Sequence, residues 1–166
     1  MKKRNKISLT IFTVFIIAII SLLLFLNNQS QTSEEKFGIY LLENDELLIS
    51  DKNIISYNKT SHEIKLNEEG FIKIKELQDW IGGTGFIIKF NGNDIYRGEF
   101  RSAISSIDYH GFVIVDFIFV DEEIIFSNNS IRIETGYPTS DLFEGEDLRN
   151  NSEIFDHFQR IGKLIE

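Results

Sequence analysis

Uncharged residues run without interruption from Ile7 to Leu26, behind Lys2, Lys3, Arg4 and Lys6, and beyond them the apolar positions break into short bursts separated by polar turns. At 1.5 Å rise per residue the first run spans roughly 30 Å, the thickness of a bilayer's hydrocarbon core, and predicts one transmembrane helix. Basic residues on its amino side hold that end in the cytoplasm. The expected arrangement is a single-pass cell-membrane protein with a cytoplasmic tail (1–6), an anchor (7–26), a tether (27–36) and an extracytoplasmic domain (37–166). A cleaved signal peptide is the competing reading. The run is longer than the roughly 7–15 residues of a signal core, and Asn27-Asn28-Gln29-Ser30 offers no small-x-small cleavage site, so an uncleaved signal anchor is preferred. Residues 27–36 contain no aliphatic side chain, as suits a flexible tether.

In the outer domain the period of the pattern changes along the chain. Phe37–Leu42 and Glu46–Ile49 flank Glu43-Asn44-Asp45, a turn between two apolar runs, and predict a β-hairpin. Ile54–Tyr57 and Glu63–Leu66 alternate around Asn58-Lys59-Thr60-Ser61 as half-buried strands do. Helical spacing follows. Asn67 is positioned as an N-cap, Glu68 and Glu69 fall in the first turn, Phe71, Ile74, Leu77 and Ile81 share one face, and Gly82-Gly83 provide the stop. Phe86–Phe90 and Asp94–Tyr96 enclose Asn91-Gly92-Asn93, a strong hairpin signal. Gly111–Val120, Ile124–Phe126 and Ile131–Glu134 predict a strand meander, ended by Gly136-Tyr137-Pro138 and an acidic loop. Asn151 or Ser152 then caps a last helix with Ile154, Phe155, Phe158, Ile161 and Leu164 on one side. The expected fold is α+β, a mostly antiparallel sheet with two helices behind the anchor.

Composition narrows the functional classes. The 130 residues from Phe37 onward suffice for one core, and without cysteine that core is held by packing alone. Four of the 17 Lys and Arg precede the anchor, leaving 13 against 26 Asp and Glu, so the outer part carries about −13. Such a surface argues against nucleic acid or an anionic lipid surface as partner, because both need clustered cations.

Leu66-Asn67-Glu68-Glu69-Gly70, Lys73-Ile74, Glu76-Leu77 and the stretch from Gly85 through Asn91-Gly92 to Tyr96 resemble the extracytoplasmic head domain of SecD. The likeness runs over about residues 64–115, more weakly through Ile104 to Val115. It implies a domain that handles exported polypeptide without covalent chemistry. This chain departs from SecD in having one apolar run, so it lacks the further membrane helices through which a proton gradient drives such handling. The fuller string, with Ile54–Asn58 and Gly136-Tyr137-Pro138, also resembles small archaeal single-pass membrane proteins of no assigned activity.

No motif in the chain calls for a cofactor. His62, His110 and His157 are isolated from one another and read as surface or turn residues. Ser105-Ser106, Asp108 and His110 group the residue types of a hydrolase, without a Gly-x-Ser-x-Gly elbow. Asp141, Glu144, Glu146 and Asp147 could offer oxygens to a cation, yet they do not follow the EF-hand spacing, and Arg149 is placed to pair with one of them. Gly82-Gly83-x-Gly85 lacks a P-loop ending. Aromatic side chains are expected mostly in the core. Trp80, Tyr96 and Tyr109 are the candidates for an exposed patch that recognises protein. Asn28, Asn58, Asn128 and Asn150 each begin an Asn-x-Ser/Thr sequon. The sequence therefore favours a non-enzymatic domain that binds a protein partner or exported polypeptide, with a tethered hydrolase or cation-binding envelope protein as the alternative.

Overall fold

The computed structural model describes residues 36–77, 82–116 and 129–166. The expected anchor Ile7–Leu26, Trp80, Ile81 and the expected strand Ile124–Phe126 lie outside them, and among the described residues no helix is long and apolar enough to cross a membrane.

Nine strands and two α-helices are described: β1 (Phe37–Leu41), β2 (Leu47–Ser50), β3 (Ile54–Asn58), β4 (Glu63–Leu66), α1 (Glu68–Lys75), β5 (Thr84–Phe90), β6 (Asn93–Ser102), β7 (Tyr109–Asp116), β8 (Ser130–Tyr137), α2 (Ser152–Arg160) and β9 (Leu164–Ile165). The fold is α+β with a mostly antiparallel sheet, in the order β2-β1-β5-β6-β7-β8-β4-β3-β9. β8 joins its two halves. Ser130, Ile131 and Arg132 pair with β4, whereas Ile133, Glu134, Thr135 and Tyr137 pair with β7.

The three expected hairpins form, β1–β2, β3–β4 and β5–β6. Asn91 (φ 50) and Gly92 (φ 78) take the left-handed conformation that a tight hairpin turn demands. Asn67 caps α1, its side-chain oxygen accepting from Gly70 N–H at 2.9 Å. That helix ends at Lys75, well before Gly82-Gly83. Asn151 caps α2, accepting from Ile154 N–H at 3.1 Å.

Helix α2 is shorter than its apolar spacing predicts. Lys163 N–H bonds back to Phe158 O at 2.8 Å and Gly162 N–H to Gln159 O at 3.1 Å, with Gly162 at φ 71, so a Schellman turn closes the helix at Arg160. Ile161 is thereby left exposed, and Leu164 belongs to β9, which runs parallel to β3.

The core is aromatic and β-branched. Phe158 of α2 packs edge-on to Phe37 and stacks on Tyr57, each at 5.1 Å between ring centroids, tying the last helix to β1 and β3. Burying such a ring contributes about 2 kcal/mol or more. Helix α1 lies close to the turn after β2, because Gly70 has no side chain; a Cβ there would meet Asn53 Cβ at 2.8 Å.

Candidate functional site

The β1–β2 hairpin and the end of α1 build a cleft. Asn44 orders the turn, its side-chain oxygen accepting from Glu46 N–H at 3.0 Å and its amide donating to Glu46 Oε2 at 3.1 Å. Asp45 takes φ 58 and receives the Lys89 ammonium, which also lies over the Tyr40 ring at 4.9 Å. This brings Leu47 out at the outer strand of the sheet, 36% exposed, with Leu48 tucked beneath. On the facing side, Lys73 pairs with Glu69 one turn back at 3.0 Å, and Glu76 caps the helix. That hydrogen bond from Lys73 holds the Glu69 carboxyl below its ordinary range. Between these elements is a cleft of about 320 Å³ lined by Leu41, Glu46, Leu47, Leu48, Lys73, Glu76 and Leu77.

A lining of four leucines with three charged residues suits the docking of aliphatic side chains. A long added strand does not fit as well. The Ser50 N–H is taken by Asn53 Oδ1 at 3.1 Å and the Ser50 carbonyl by Asn53 N–H at 2.9 Å, which closes that end of the sheet edge.

Among the described residues, members of the hydrolase and cation groupings are engaged elsewhere. Ser105 Oγ lies 3.5 Å from Arg101 Nη1, while His110 Nδ1 meets Glu144 Oε1 at 3.1 Å. Of the four loop carboxylates, Asp147 grips Arg149 through two bonds of 2.8 and 2.7 Å, as the sequence suggested, and Glu144 faces His110. The bond from Arg149 holds the Asp147 carboxyl below its usual range. Arg149 also donates to Ile133 O at 2.8 Å, so this pair fastens the acidic loop to β8. Among the described residues no group of three His, Asp or Glu is arranged to hold a metal ion.

His157, on α2, departs from the expected surface or turn setting, and His62 lies in the turn from β3 to β4 as expected but is buried. His62 and His157 are 6% and 4% exposed, and only His110 lies at the surface. His62 Nδ1 meets the Tyr57 hydroxyl at 3.1 Å, and burial together with the Arg149 charge lowers its pKa. His157 Nε2 reaches Asp51 Oδ1 at 3.0 Å, while Arg160 Nη2 lies 3.1 Å from Nδ1. His110 and Glu144, and His157 and Asp51, meet only across the fold, whereas Tyr57 and Arg160 lie a few positions along the chain from His62 and His157.

The aromatic candidates separate. Tyr96, 6% exposed, packs against Phe112 at 4.4 Å and belongs to the core, where burial raises its pKa well above the ordinary value. Tyr109 is half-buried, with the Arg101 guanidinium 4.9 Å from its ring centre. Trp80 lies outside the described residues.

Arg101 and Tyr137 hold the connection from β6 to β7 from below. Arg101 donates to Ile107 O at 3.0 Å, and the Tyr137 hydroxyl lies 2.9 and 3.0 Å from the carbonyls of Ala103 and Ser105. Ile104 and Ile107 stand out from that loop, 59% and 55% exposed. The cleft was missed by sequence reasoning, although the leucines and the turn that build it were legible. Comparison with protein-family models, curated proteins and solved structures gave no match for this chain.

Proposed function

We propose that this is a single-pass membrane protein whose acidic extracytoplasmic domain works by non-covalent interaction with polypeptide, in the neighbourhood of exported chains. The anchor is Ile7–Leu26, oriented by the basic residues before it, and residues 27–36 tether the domain. The observation that carries the interaction reading is the leucine-walled cleft between β2 and α1, whose Leu47 is accessible at the sheet's outer strand. The resemblance to the SecD head domain over about residues 64–115 supports polypeptide as the ligand class.

Site-specific photo-cross-linking in the native membrane tests this reading. A photoreactive residue replaces Leu47 in the full-length protein, with Lys65, exposed on β4, as the control position. Adducts to pulse-labelled exported chains at position 47 and none at 65 are expected. Equal labelling at both positions, or none at 47 with normal protein abundance, would refute it.

A further inference from the structure

From the charges around the cleft, and resting on the interaction reading above, we infer that the segment bound there is a short apolar stretch flanked by lysine or arginine. Three ionised side chains line the cleft, Glu46, Lys73 and Glu76. Lys73 is neutralised by Glu69 at 3.0 Å. Glu46 is bonded to the uncharged Asn44 at 3.1 Å, and no described cation pairs with Glu46 or Glu76. Two carboxylates therefore line the cleft with four leucines, and among the described residues neither is paired with a cation.

Their positions strengthen the effect. Glu76 caps the carboxyl end of α1, where unpaired backbone carbonyls already concentrate negative potential. A carboxylate there gains nothing from the helix, whereas an incoming cation is attracted by both. Glu46 follows Glu43 and Asp45 in the hairpin turn, and Lys89, the cation that reaches this turn, is held by Asp45 and lies near Asp94. A volume of about 320 Å³ accepts a small number of aliphatic side chains, so the ligand's apolar part is brief and its charges fall at the two sides. Because Asn53 closes the sheet edge at Ser50, side chains rather than a long backbone ladder select the segment.

The test uses the full-length chain in lipid nanodiscs and two labelled synthetic peptides, leucines flanked by lysines and the same leucines flanked by glutamates. Fluorescence anisotropy should show the lysine peptide bound about tenfold more tightly at low salt, a preference that fades as salt screens the surface. This salt titration needs no variant. The double substitution E46K/E76K should abolish or invert the preference, and L47S should weaken the lysine peptide about fivefold without changing its salt dependence. Equal binding of both peptides, still weakened by L47S, would overturn the charge selection while leaving the cleft as a polypeptide site. Failure of both peptides to bind, with cross-linking at position 47 intact, would overturn the ligand chemistry alone; failure of both experiments would remove the interaction reading as well. Self-association abolished by E46K/E76K, without peptide binding, would overturn it in favour of a second copy of this chain.

Discussion

Asp51 carries no signature in the sequence, yet its carboxylate accepts from the Lys36 and Phe37 N–H groups at 2.8 and 3.3 Å and from His157 at 3.0 Å. Its carbonyl accepts from Lys163 Nζ at 2.6 Å. One residue after β2 thus holds the start of β1, helix α2 and the chain beyond that helix. Replacing Asp51 by Ala strands several donors at once, and a loss of about 3 kcal/mol is expected in urea unfolding; a loss under about 1 kcal/mol would show that water replaces the carboxylate. His62 supplies a pH dependence. Burial and Arg149 hold its folded-state pKa below the ordinary value of 6.5, so the unfolded chain takes up this proton first as the pH falls. The stability it contributes is complete above that value and is lost as pH falls through the lower folded-state pKa. The variant H62N keeps a residue that tolerates φ 53 and removes the titration, so stability between about pH 7 and 5 should fall less steeply than in the parent. Unfolding curves across that interval decide it; identical slopes would count against His62. None of these pairings is legible along the chain, because partners such as Asp51 and His157 meet only when the sheet and α2 close on each other.

At the scale of elements the local code reads well wherever a turn or cap carries its own chemistry. Asn91-Gly92 makes its hairpin and Asn67 and Asn151 cap their helices, since each effect involves residues within a few positions. Substituting Asn67 by Ala removes the bond to Gly70 N–H and also that from its amide to Lys52 O at 3.1 Å. It should cost about 1 kcal/mol, read as a lower midpoint in thermal unfolding. Gly162→Ala places a Cβ in the left-handed region at φ 71 and should cost about 1–2 kcal/mol, read in urea unfolding. Equal stability of G162A and the parent would show that the helix can run on toward Leu164. The apolar spacing through Ile161 and Leu164 reads as one helix because a period cannot register where a Schellman turn stops it. Likewise Phe71, Ile74 and Leu77 mark a helix face truthfully while overstating the length of α1.

The whole molecule combines an uncharged run with an acidic domain, and the two make separate expectations. If Ile7–Leu26 anchors the full-length chain, the protein stays with the membrane after alkaline carbonate extraction, and protease added outside the intact cell digests it from the domain side. Release by carbonate, or protection of the domain, would reject the topology. Composition, the alternation of short strands, two helical stretches and the turn residues between them determine by themselves that residues 37–166 make an α+β domain without disulfides. These properties are local or additive, so they survive in a one-dimensional reading. Only the tertiary structure decides that β8 joins the two halves of the sheet, that β9 returns beside β3, that Tyr96 is core, and that Leu47 and Leu77 line one cleft together with Glu46 and Glu76. Those outcomes depend on which distant strands and side chains best cover each other's apolar faces, a competition over the whole chain that no local window contains.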